Sequence, residues 1–584
     1  MSLPTILIAF LALIGSAYCA DDLMIRGEVE EFGNGSSVVW TPQKFAGFYY
    51  DIDEGLGDES LLLETSERSV PIGDAVYATS AQEASFEHGD WGHYRVLAFL
   101  GDNYFSGYDD DCIISPSWSS LKDDGVLSKV LIDSDSRETI SADQDLLLEE
   151  GYKLKFSDSE EGVKVALYKG TALLDTTMIN PPETYVYAVP IGDRNVTLIA
   201  VHVTGSVKLK PASYYTIKGT FQVSEDLLGI EPGLKYGMME VSSVDGDGIS
   251  MTNVQEIDLS LNSDVDLMDG IRLRTADEPD RLYICSNITE PGTYELRGSV
   301  ADVIDGTSFQ WDTSNFAGFY YDVDGNLGTE AIIMTIYGEI LEEPNGVVYS
   351  TEAQQKDFNF AKWGKYWTIG FLGENYFAGY VSDGAGSSRS RLSDTSEDDN
   401  LLVDEQLSKV LVDNAEPLKI KDGDVFELEE GFAVKFLVDN SCEMVFVELY
   451  KDGNLAERDY FIVPDTYIYT TDLGDSQDIA VLAIHLADVN CTGGRTCVID
   501  GIWQISTHTI PVEEDTEYDK MTVQVVDADS MRIFMDNEDE QIVLSNNKDQ
   551  PLMGDIRIKT ADQDAISDEE PLRFYIYTEE TVES

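Results

Sequence analysis

The stretch that decides the fold is Phe-Ala-Gly-Phe-Tyr-Tyr-Asp at residues 45–51, which recurs without change at residues 316–322. A tryptophan precedes both stretches by the same distance, at Trp40 and Trp311. Aromatic side chains that pair across neighbouring strands stabilise a sheet and bury large apolar surfaces. The pattern therefore predicts that these rings pack in a β-sheet core, in preference to forming an exposed platform for sugars.

Other motifs are repeated in the same order along the chain. The pairs are residues 26–27 and 297–298, 101–108 and 373–380, 127–131 and 407–411, and 271–277 and 556–562. Self-similarity over such a length indicates one structural unit present twice. We predict a signal peptide at residues 1–20, a first copy at residues 21–290 and a second copy at residues 291–584, divided at the turn-forming Thr-Glu-Pro-Gly-Thr of residues 289–293.

The apolar residues of each copy follow a period of two. Residues 163–168 and 445–450 alternate in the way that half-buried strands do. Clusters of Gly, Asp and Asn interrupt these segments at short intervals, and long segments with a helical period are nearly absent. The sequence predicts an all-β protein of two tandem homologous repeats, each holding two β-sandwich subdomains that meet near residues 181–182 and near residue 464.

The charge balance excludes one large class of partners. The 584 residues include 38 Lys and Arg against 110 Asp and Glu, a formal net charge of −72. Nucleic-acid binding depends on cationic side chains that neutralise phosphates, so we expect no nucleic-acid partner. Disorder is also disfavoured, because 43% of the residues are hydrophobic and 10% are aromatic. We expect a globular protein with its negative charge outside.

The N-terminus indicates export. Residues 3–17 are largely apolar, and small residues flank a cleavage site near Cys19. No later segment is long and apolar enough to span a bilayer, so we expect a secreted, extracellular protein without a transmembrane anchor in this chain. In that compartment the sequons are candidate glycan acceptors on exposed loops; they are Asn34, Asn195, Asn287 and Asn490.

The cysteines suggest one disulfide. Cys491 and Cys497 enclose a short Gly-rich turn that can bring their sulfurs together, so we predict a bridge between them. Spacing alone does not pair Cys112, Cys285 and Cys442. A zinc site is not expected, because no Cys-x-x-Cys motif is present.

Two acidic loops are candidate cation sites. Asp51 and Asp53 follow the first aromatic motif, and Asp322 and Asp324 follow the second. Ca²⁺ and Mg²⁺ prefer clustered carboxylate and carbonyl oxygens, so a structural divalent cation is one interpretation. The closing Glu of a helical calcium loop is missing, and a plain hairpin turn is the favoured alternative. No other cofactor is expected.

Catalysis is not indicated by the remaining polar residues. His202 and His485 occupy equivalent apolar segments and are interpreted as structural, and the pair His88 and His93 is not retained in the second copy. No Ser or Cys stands in a recognisable nucleophile motif with a histidine partner. Carboxylate pairs are too abundant to single out a glycosidase site. We therefore predict a protein that is not an enzyme and has no catalytic residues.

Taken together, the motifs resemble the duplication domain of archaeal surface-layer (S-layer) proteins, of the type found in methanogens related to Methanosarcina. The resemblance rests on residues 40–51 and 311–322, on Gly-x-Asn-Tyr-Phe-x-Gly-Tyr at residues 101–108 and 373–380, on Leu-Ser-Lys-Val-Leu and on the Thr-Ala-Asp that ends both copies. It implies β-sandwich subdomains and tandem copies that tile into a porous, acidic sheet around the cell. The family's main protein carries an acidic tether and a C-terminal anchor, which have no counterpart in this sequence.

The leading hypothesis is a structural protein that forms or joins such a lattice, through self-association or with other S-layer subunits, and acts as a protective charge-selective molecular sieve. The alternative is a secreted glycan- or calcium-dependent adhesin, and a third possibility is a secreted hydrolase. A net charge of −72 opposes close packing at low ionic strength. Since salt screens charges beyond about 10 Å at 0.1 M, assembly is expected to depend on ionic strength.

Overall fold

The computed structural model describes residues 23–115, 119–191, 194–209, 213–245, 248–268, 270–277, 280–381, 390–392, 400–492, 494–538, 540–563, 565–567 and 569–582. The predicted signal peptide lies outside these residues. The chain divides into two compact units, one comprising Arg26–Thr275 with Asp280–Ser286 and the other formed mainly by the residues from Asn287 onward.

The first copy is built from short and long strands. They are β1 (Leu23–Arg26), β2 (Glu30–Glu31), β3 (Ser37–Trp40), β4 (Ser60–Glu64), β5 (Ser69–Val70), β6 (Ala75–Ser80), β7 (Gln82–Ser85), β8 (His93–Phe99), β9 (Asp102–Tyr108), β10 (Ser119–Ser120), β11 (Val126–Ser141), β12 (Asp145–Leu147), β13 (Tyr152–Ser159), β14 (Gly162–Lys169), β15 (Ala172–Ile179), β16 (Glu183–Ile191), β17 (Arg194–Lys208), β18 (Ser213–Gly229), β19 (Lys235–Tyr236), β20 (Met239–Asp245), β21 (Gly248–Asn253), β22 (Ile257–Asp258), β23 (Asp264–Met268), β24 (Ile271–Thr275) and β25 (Arg281–Ile288).

The second copy repeats this series. Its strands are β26 (Gly292–Arg297), β27 (Ala301–Asp302), β28 (Ser308–Asp312), β29 (Ala331–Thr335), β30 (Ile340–Leu341), β31 (Val347–Glu352), β32 (Gln354–Asp357), β33 (Lys365–Phe371), β34 (Glu374–Tyr380), β35 (Gln406–Asn414), β36 (Leu418–Lys421), β37 (Val425–Glu427), β38 (Phe432–Val438), β39 (Met444–Lys451), β40 (Asn454–Ile462), β41 (Asp465–Leu473), β42 (Ser476–Asn490), β43 (Thr496–Pro511), β44 (Glu517–Tyr518), β45 (Met521–Asp527), β46 (Arg532–Asp536), β47 (Ile542–Val543), β48 (Asp549–Met553), β49 (Ile556–Thr560) and β50 (Arg573–Val582).

Helical structure in the described part of the chain is confined to single 3-10 turns. They lie at Gly89–Trp91, Lys122–Asp124, Glu149–Gly151, Ala361–Trp363, Leu401–Asp404 and Glu429–Gly431. Four of them fall at matching places in the two copies, beside the tryptophans Trp91 and Trp363 and at the Glu-Glu-Gly turns.

Each copy contains sheets of the same five sizes. A six-stranded sheet (β19-β20-β21-β6-β4-β3; β28-β29-β31-β46-β45-β44), a five-stranded sheet (β1-β25-β24-β23 with β2; β26-β50-β49-β48 with β27) and a two-stranded ribbon (β22-β5; β30-β47) are built from the ends of each copy. An eight-stranded sheet (β16-β17-β18-β11-β9-β8-β7 with β10; β32-β33-β34-β35-β43-β42-β41 with β36) and a four-stranded sheet (β12 to β15; β37 to β40) are built from its middle. The two copies therefore have the same topology.

These sheets form two sandwiches in each copy, as predicted. In the first copy a core of buried residues such as Leu154, Val165 and Phe221 lies between the four- and eight-stranded sheets. In the second copy a core that includes Tyr349 and Ile576 joins the six- and five-stranded sheets. We call the sandwich made by the ends of a copy the outer sandwich and the one made by its middle the inserted sandwich. The all-β prediction with tandem homologous repeats is confirmed.

The predicted meeting points of the sandwiches were wrong. Residues 181–182 and residue 464 connect β15 to β16 and β40 to β41, which lie in the two sheets of the same inserted sandwich. The inserted sandwich begins at β7 and β32 and ends at β18 and β43, so the outer sandwich is closed by strands far apart in sequence. Sequence order does not reveal this, because a strand's apolar pattern does not name its partner.

Alternating burial explains why these residues form strands. In β6 the residues Ala75, Tyr77 and Thr79 are buried and their neighbours are half-buried, and β31 shows the same pattern. In β13 three buried residues alternate with Lys153, Lys155 and Ser157, which face away from the core. Period-two burial is what a sheet with one covered face requires.

Candidate functional site

The repeated aromatic motif lies inside the outer sandwich. Trp40 and Phe45 are fully buried, and the ring of Phe45 meets that of Phe48 edge to face at 5.0 Å between centroids. The indole of Trp40 donates a hydrogen bond to the carbonyl oxygen of Glu28 at 2.8 Å. The second copy places Phe316 and Phe319 in the same way, at 4.8 Å. These rings form core, so they are not available to stack on a sugar.

The glycine inside the motif is required by the ring before it. A Cβ atom on Gly47 would lie 2.2 Å from Cζ of Phe45, and one on Gly318 would lie 2.4 Å from Cζ of Phe316. Gly101, the first residue of the next repeated motif, has a φ of +86° and approaches the carbonyl oxygen of Gly47 so closely that a Cβ would lie 2.4 Å from it. The motifs at residues 45–51 and 101–108 therefore pack directly on each other.

A buried carboxylate joins the same two motifs. One carboxylate oxygen of Glu59 accepts a hydrogen bond from the amide of Tyr49 at 2.8 Å. The other accepts from the hydroxyl of Tyr77 at 2.8 Å and from the amide of Gly101 at 3.0 Å. Burial raises the pKa of Glu59 to about 7, although these hydrogen bonds oppose the rise. Sequence reasoning missed this residue.

The second copy repeats the arrangement. The carboxylate of Glu330 accepts from the amide of Tyr320 at 2.8 Å and from the hydroxyl of Tyr349 and the amide of Gly373, both at 2.9 Å. Burial raises the pKa of Glu330 to about 7 as well. The signal that could have found the pair is the shared spacing, because each Glu follows the tyrosine whose amide it accepts by ten residues.

The inserted sandwiches hold a second matched pair of carboxylates. Asp133 accepts from the hydroxyl of Tyr94 at 3.0 Å, and Asp413 accepts from that of Tyr366 at 3.3 Å. Burial raises the pKa of Asp133 to about 7 and that of Asp413 to about 6. All these tyrosine–carboxylate contacts lie in the interior and hold strands together, and none faces an open cleft.

The acidic loops take the form of turns. A carboxylate oxygen of Asp51 accepts from the amides of Asp53 and Glu54, and a bridge pairs Asp51 with Leu56 across the turn. Such bonds from a side chain to the amides that follow it are typical of Asx turns. This agrees with the hairpin alternative.

In the second copy a lysine uses the carboxylate. Asp322 accepts from Gly325 at 2.9 Å and pairs with Nζ of Lys356 at 2.7 Å. Burial works to raise the pKa of Asp322, but the Lys356 ammonium outweighs burial and holds it below its usual value. Among the described residues, no group of three or more His, Cys, Asp or Glu side chains could hold a metal ion. The structure therefore does not gather Asp51, Asp53, Asp322 and Asp324 into a cation site.

The predicted disulfide was wrong. Cys491 is bonded to Cys442, with 6.4 Å between Cα atoms, whereas Cys497 is a buried free thiol. Cys497 lies in β43 opposite Val489 of β42, and its side chain faces the core of the inserted sandwich. Cys491 follows the end of β42, where the turn between β38 and β39 brings Cys442 to it. Cys112 and Cys285 are also buried and free.

The interior histidines make structural contacts. His485 pairs with Asp500 and stacks on Phe360 at 4.3 Å between ring centroids. His202 stacks on His88 at 4.7 Å, and burial lowers the pKa of His202.

Comparison with known proteins agrees with the duplicated architecture. A sequence profile of the family described as S-layer protein matches residues 29–277 and 301–562, one region in each copy. The chain belongs to the S-layer protein family. The resemblance seen in the motifs is thereby confirmed.

Three S-layer relatives match nearly the whole chain. The Major S-layer protein of Methanosarcina acetivorans is 28% identical over 98% of this chain and 86% of its own length. That of Methanosarcina barkeri is 28% identical over 94% and 82%, and that of Methanosarcina mazei is 27% identical over 97% and 85%. The predicted structural, non-enzymatic S-layer role is confirmed by these matches and the family profile.

The surface of this S-layer protein carries most of its acidic groups. Among the described residues, the only buried carboxylates besides Glu59 and Glu330 are Glu448 and Asp536. The four sequon asparagines, Asn34, Asn195, Asn287 and Asn490, are all exposed. Their use as glycan acceptors stays a prediction. No helix in the described part of the chain is long and apolar enough to cross a membrane.

Proposed function

We propose that this S-layer protein forms or joins a porous, acidic two-dimensional lattice on the outside of an archaeal cell, and that the lattice acts as a protective, charge-selective sieve. The observation that carries the proposal is the duplication itself, because two copies of one topology present similar surfaces twice on a single chain. Heterologous contacts between such surfaces propagate into sheets, whereas self-complementary contacts close into dimers.

Surface charge supports the sieving role. With a net charge of −72 and nearly all described carboxylates outside the core, pores between subunits would be edged by negative charge. Such pores attract cations and repel polyanions over the screening distance of about 10 Å at 0.1 M salt. Cations and small neutral solutes would pass more readily than anions of equal size.

Electron microscopy of the purified protein across a series of NaCl and CaCl₂ concentrations tests the lattice. Ordered sheets that appear as ionic strength rises are the expected result. Protein that remains monomeric in every condition contradicts the proposal, and stoichiometric calcium or glycan binding by such monomers in calorimetry would favour the adhesin alternative. Permeation of size-matched cationic and anionic probes through the sheets then tests selectivity, which equal rates would contradict.

A divalent cation remains a separate proposal. Calcium that promotes sheets beyond a NaCl solution of equal ionic strength would indicate bound ions between subunits, since screening alone depends on ionic strength.

A further inference from the structure

The four-stranded sheet of the second copy has an unusual outer face. In β38 the side chains of Val434 and Phe436 point into the core, so Leu437 points outward. Leu437 lies opposite Phe446 of β39, which lies opposite Tyr460 of β40. The next outward-facing pair along the sheet is Met444 and Ile462. We call these five side chains the apolar face.

The apolar face is open to solvent. Phe446 is 36% exposed, Tyr460 is 59% exposed and Ile462 is 66% exposed. The rings of Phe446 and Tyr460 lie 6.0 Å apart between centroids. Clustered exposed apolar side chains are costly in water and usually mark an interaction site, whereas scattered ones need no explanation.

The first copy shows that the fold does not require this face. The same strand positions of β13 to β15 carry Ser157, Gly162, Lys164 and Met178, followed by Asn180. The inward-facing residues on the same strands remain apolar in both copies, such as Val163 and Val165 against Val445 and Val447. The core pattern is thus retained while the outer face differs, so the apolar side chains serve something other than folding.

Charge indicates which partner the face accepts. None of its five residues is a carboxylate, and the neighbouring row across the sheet holds two cations, Lys435 and Arg458, around Glu448. Arg458 is paired with Glu448. On a chain with a net charge of −72, this is a place where a second molecule of the same charge can approach without facing carboxylates.

We infer that the apolar face is a self-association surface, which packs against the same face of a second copy of this chain. Pleated sheets pack face to face at about 10 Å when both faces are apolar, and a two-fold contact needs only one self-complementary patch. The inference rests on the proposed lattice function and names one contact within it. It pairs molecules through their second copies, while other surfaces would extend the sheet.

The test uses sedimentation velocity of the full chain over a range of protein concentrations, at low and high NaCl. Wild type is expected to form concentration-dependent dimers, more readily at high salt because the net charge is screened. Tyr460→Lys is expected to weaken the dimer at least about tenfold, or about 1.4 kcal/mol. Met178→Lys places the same substitution at the equivalent position of the first copy and is expected to leave association unchanged.

A second variant guards against misfolding. Phe446→Lys introduces the residue that the first copy already carries at Lys164, so the strand position tolerates it, and it is expected to weaken the dimer as Tyr460→Lys does. Thermal unfolding transitions that match wild type identify folded variants. A wild type that is monomeric throughout, or a folded Phe446→Lys that associates as wild type does, would overturn the inference.

Crosslinking identifies the occupant of the face. A photoreactive amino acid at position 460, followed by peptide mass spectrometry, is expected to link position 460 to the apolar face of another molecule. Crosslinks to the first copy's outer sheet or to other surfaces would contradict the two-fold contact. If wild type forms sheets and Phe446→Lys forms the same sheets, the inference fails and the proposed function stands. If wild type forms no sheets in any salt, the proposed function fails, and the dimer is judged from sedimentation alone.

Discussion

The hydroxyl of Tyr77 donates a 2.8 Å hydrogen bond to the carboxylate of Glu59 inside the outer sandwich. Tyr349 and Glu330 repeat the relationship at 2.9 Å in the second copy. Each carboxylate also accepts amides from both neighbouring motifs, so it replaces ladder hydrogen bonds where the chain turns away from a strand. A buried carboxylate is costly unless its oxygens are satisfied, and here both are.

Removing one tyrosine hydroxyl is expected to destabilise its outer sandwich. Tyr349→Phe leaves Glu330 with one fewer donor in the interior, at a cost of about 1–3 kcal/mol. The measurement is the denaturant midpoint of the unfolding transition. Tyr337→Phe is the control, because Tyr337 is 51% exposed. Equal midpoints for the two variants would show that the buried hydrogen bond contributes nothing.

The stability of the outer sandwiches is expected to rise as pH falls from about 8 towards 5. Burial raises the pKa of Glu59 and Glu330 from 4.5 to about 7, so the folded chain binds more protons between these values than the unfolded chain does. Their contribution is therefore present below the unfolded pKa and is lost as pH rises through the folded pKa.

The double variant Glu59→Gln, Glu330→Gln isolates this effect. His202 acts in the opposite direction, because burial lowers its pKa and protonation then favours unfolding. The melting temperature of the double variant should rise less than that of wild type over the same pH range. Parallel curves for the two proteins would show that these carboxyls do not titrate in this window.

A methyl group at Gly47 is expected to disrupt the first outer sandwich. In Gly47→Ala the new Cβ would overlap the ring of Phe45, and overpacking of this kind costs about 1–3 kcal/mol. Gly89→Ala is the control, since a Cβ there meets nothing within 4 Å. Circular dichroism melts of both variants measure the difference, and a Gly47→Ala protein as stable as the control would contradict the packing described.

Reduction of the disulfide is expected to weaken the second inserted sandwich. Cys442 and Cys491 are 49 residues apart, and a crosslink of that span stabilises by about 2–4 kcal/mol, chiefly through the unfolded state. Peptide mapping without reductant should recover the peptides of Cys442 and Cys491 joined. Cys497→Ser should leave that link intact, whereas recovery of a Cys491–Cys497 peptide would contradict the structure.

The candidate site was predictable only in part. Trp40 and the aromatic heptapeptides indicated a core because large rings, repeated at constant spacing, need a shared environment. Glu59 was missed because an acidic residue in so acidic a chain is presumed to face water, and only its three donors reveal otherwise. The pairing of Cys491 failed for a similar reason, since proximity along the chain competes with strand direction.

What the sequence determined by itself was the repetition, the β class, the family and the outward negative charge, because identical motifs and period-two patterns are local properties. Only the tertiary structure decided that one sandwich is inserted into another, that Cys442 meets Cys491 and that Leu437, Phe446 and Tyr460 share one exposed face. These depend on which strands become neighbours. Strand pairing is set by the packing of distant segments, which a residue's own neighbours in sequence do not encode.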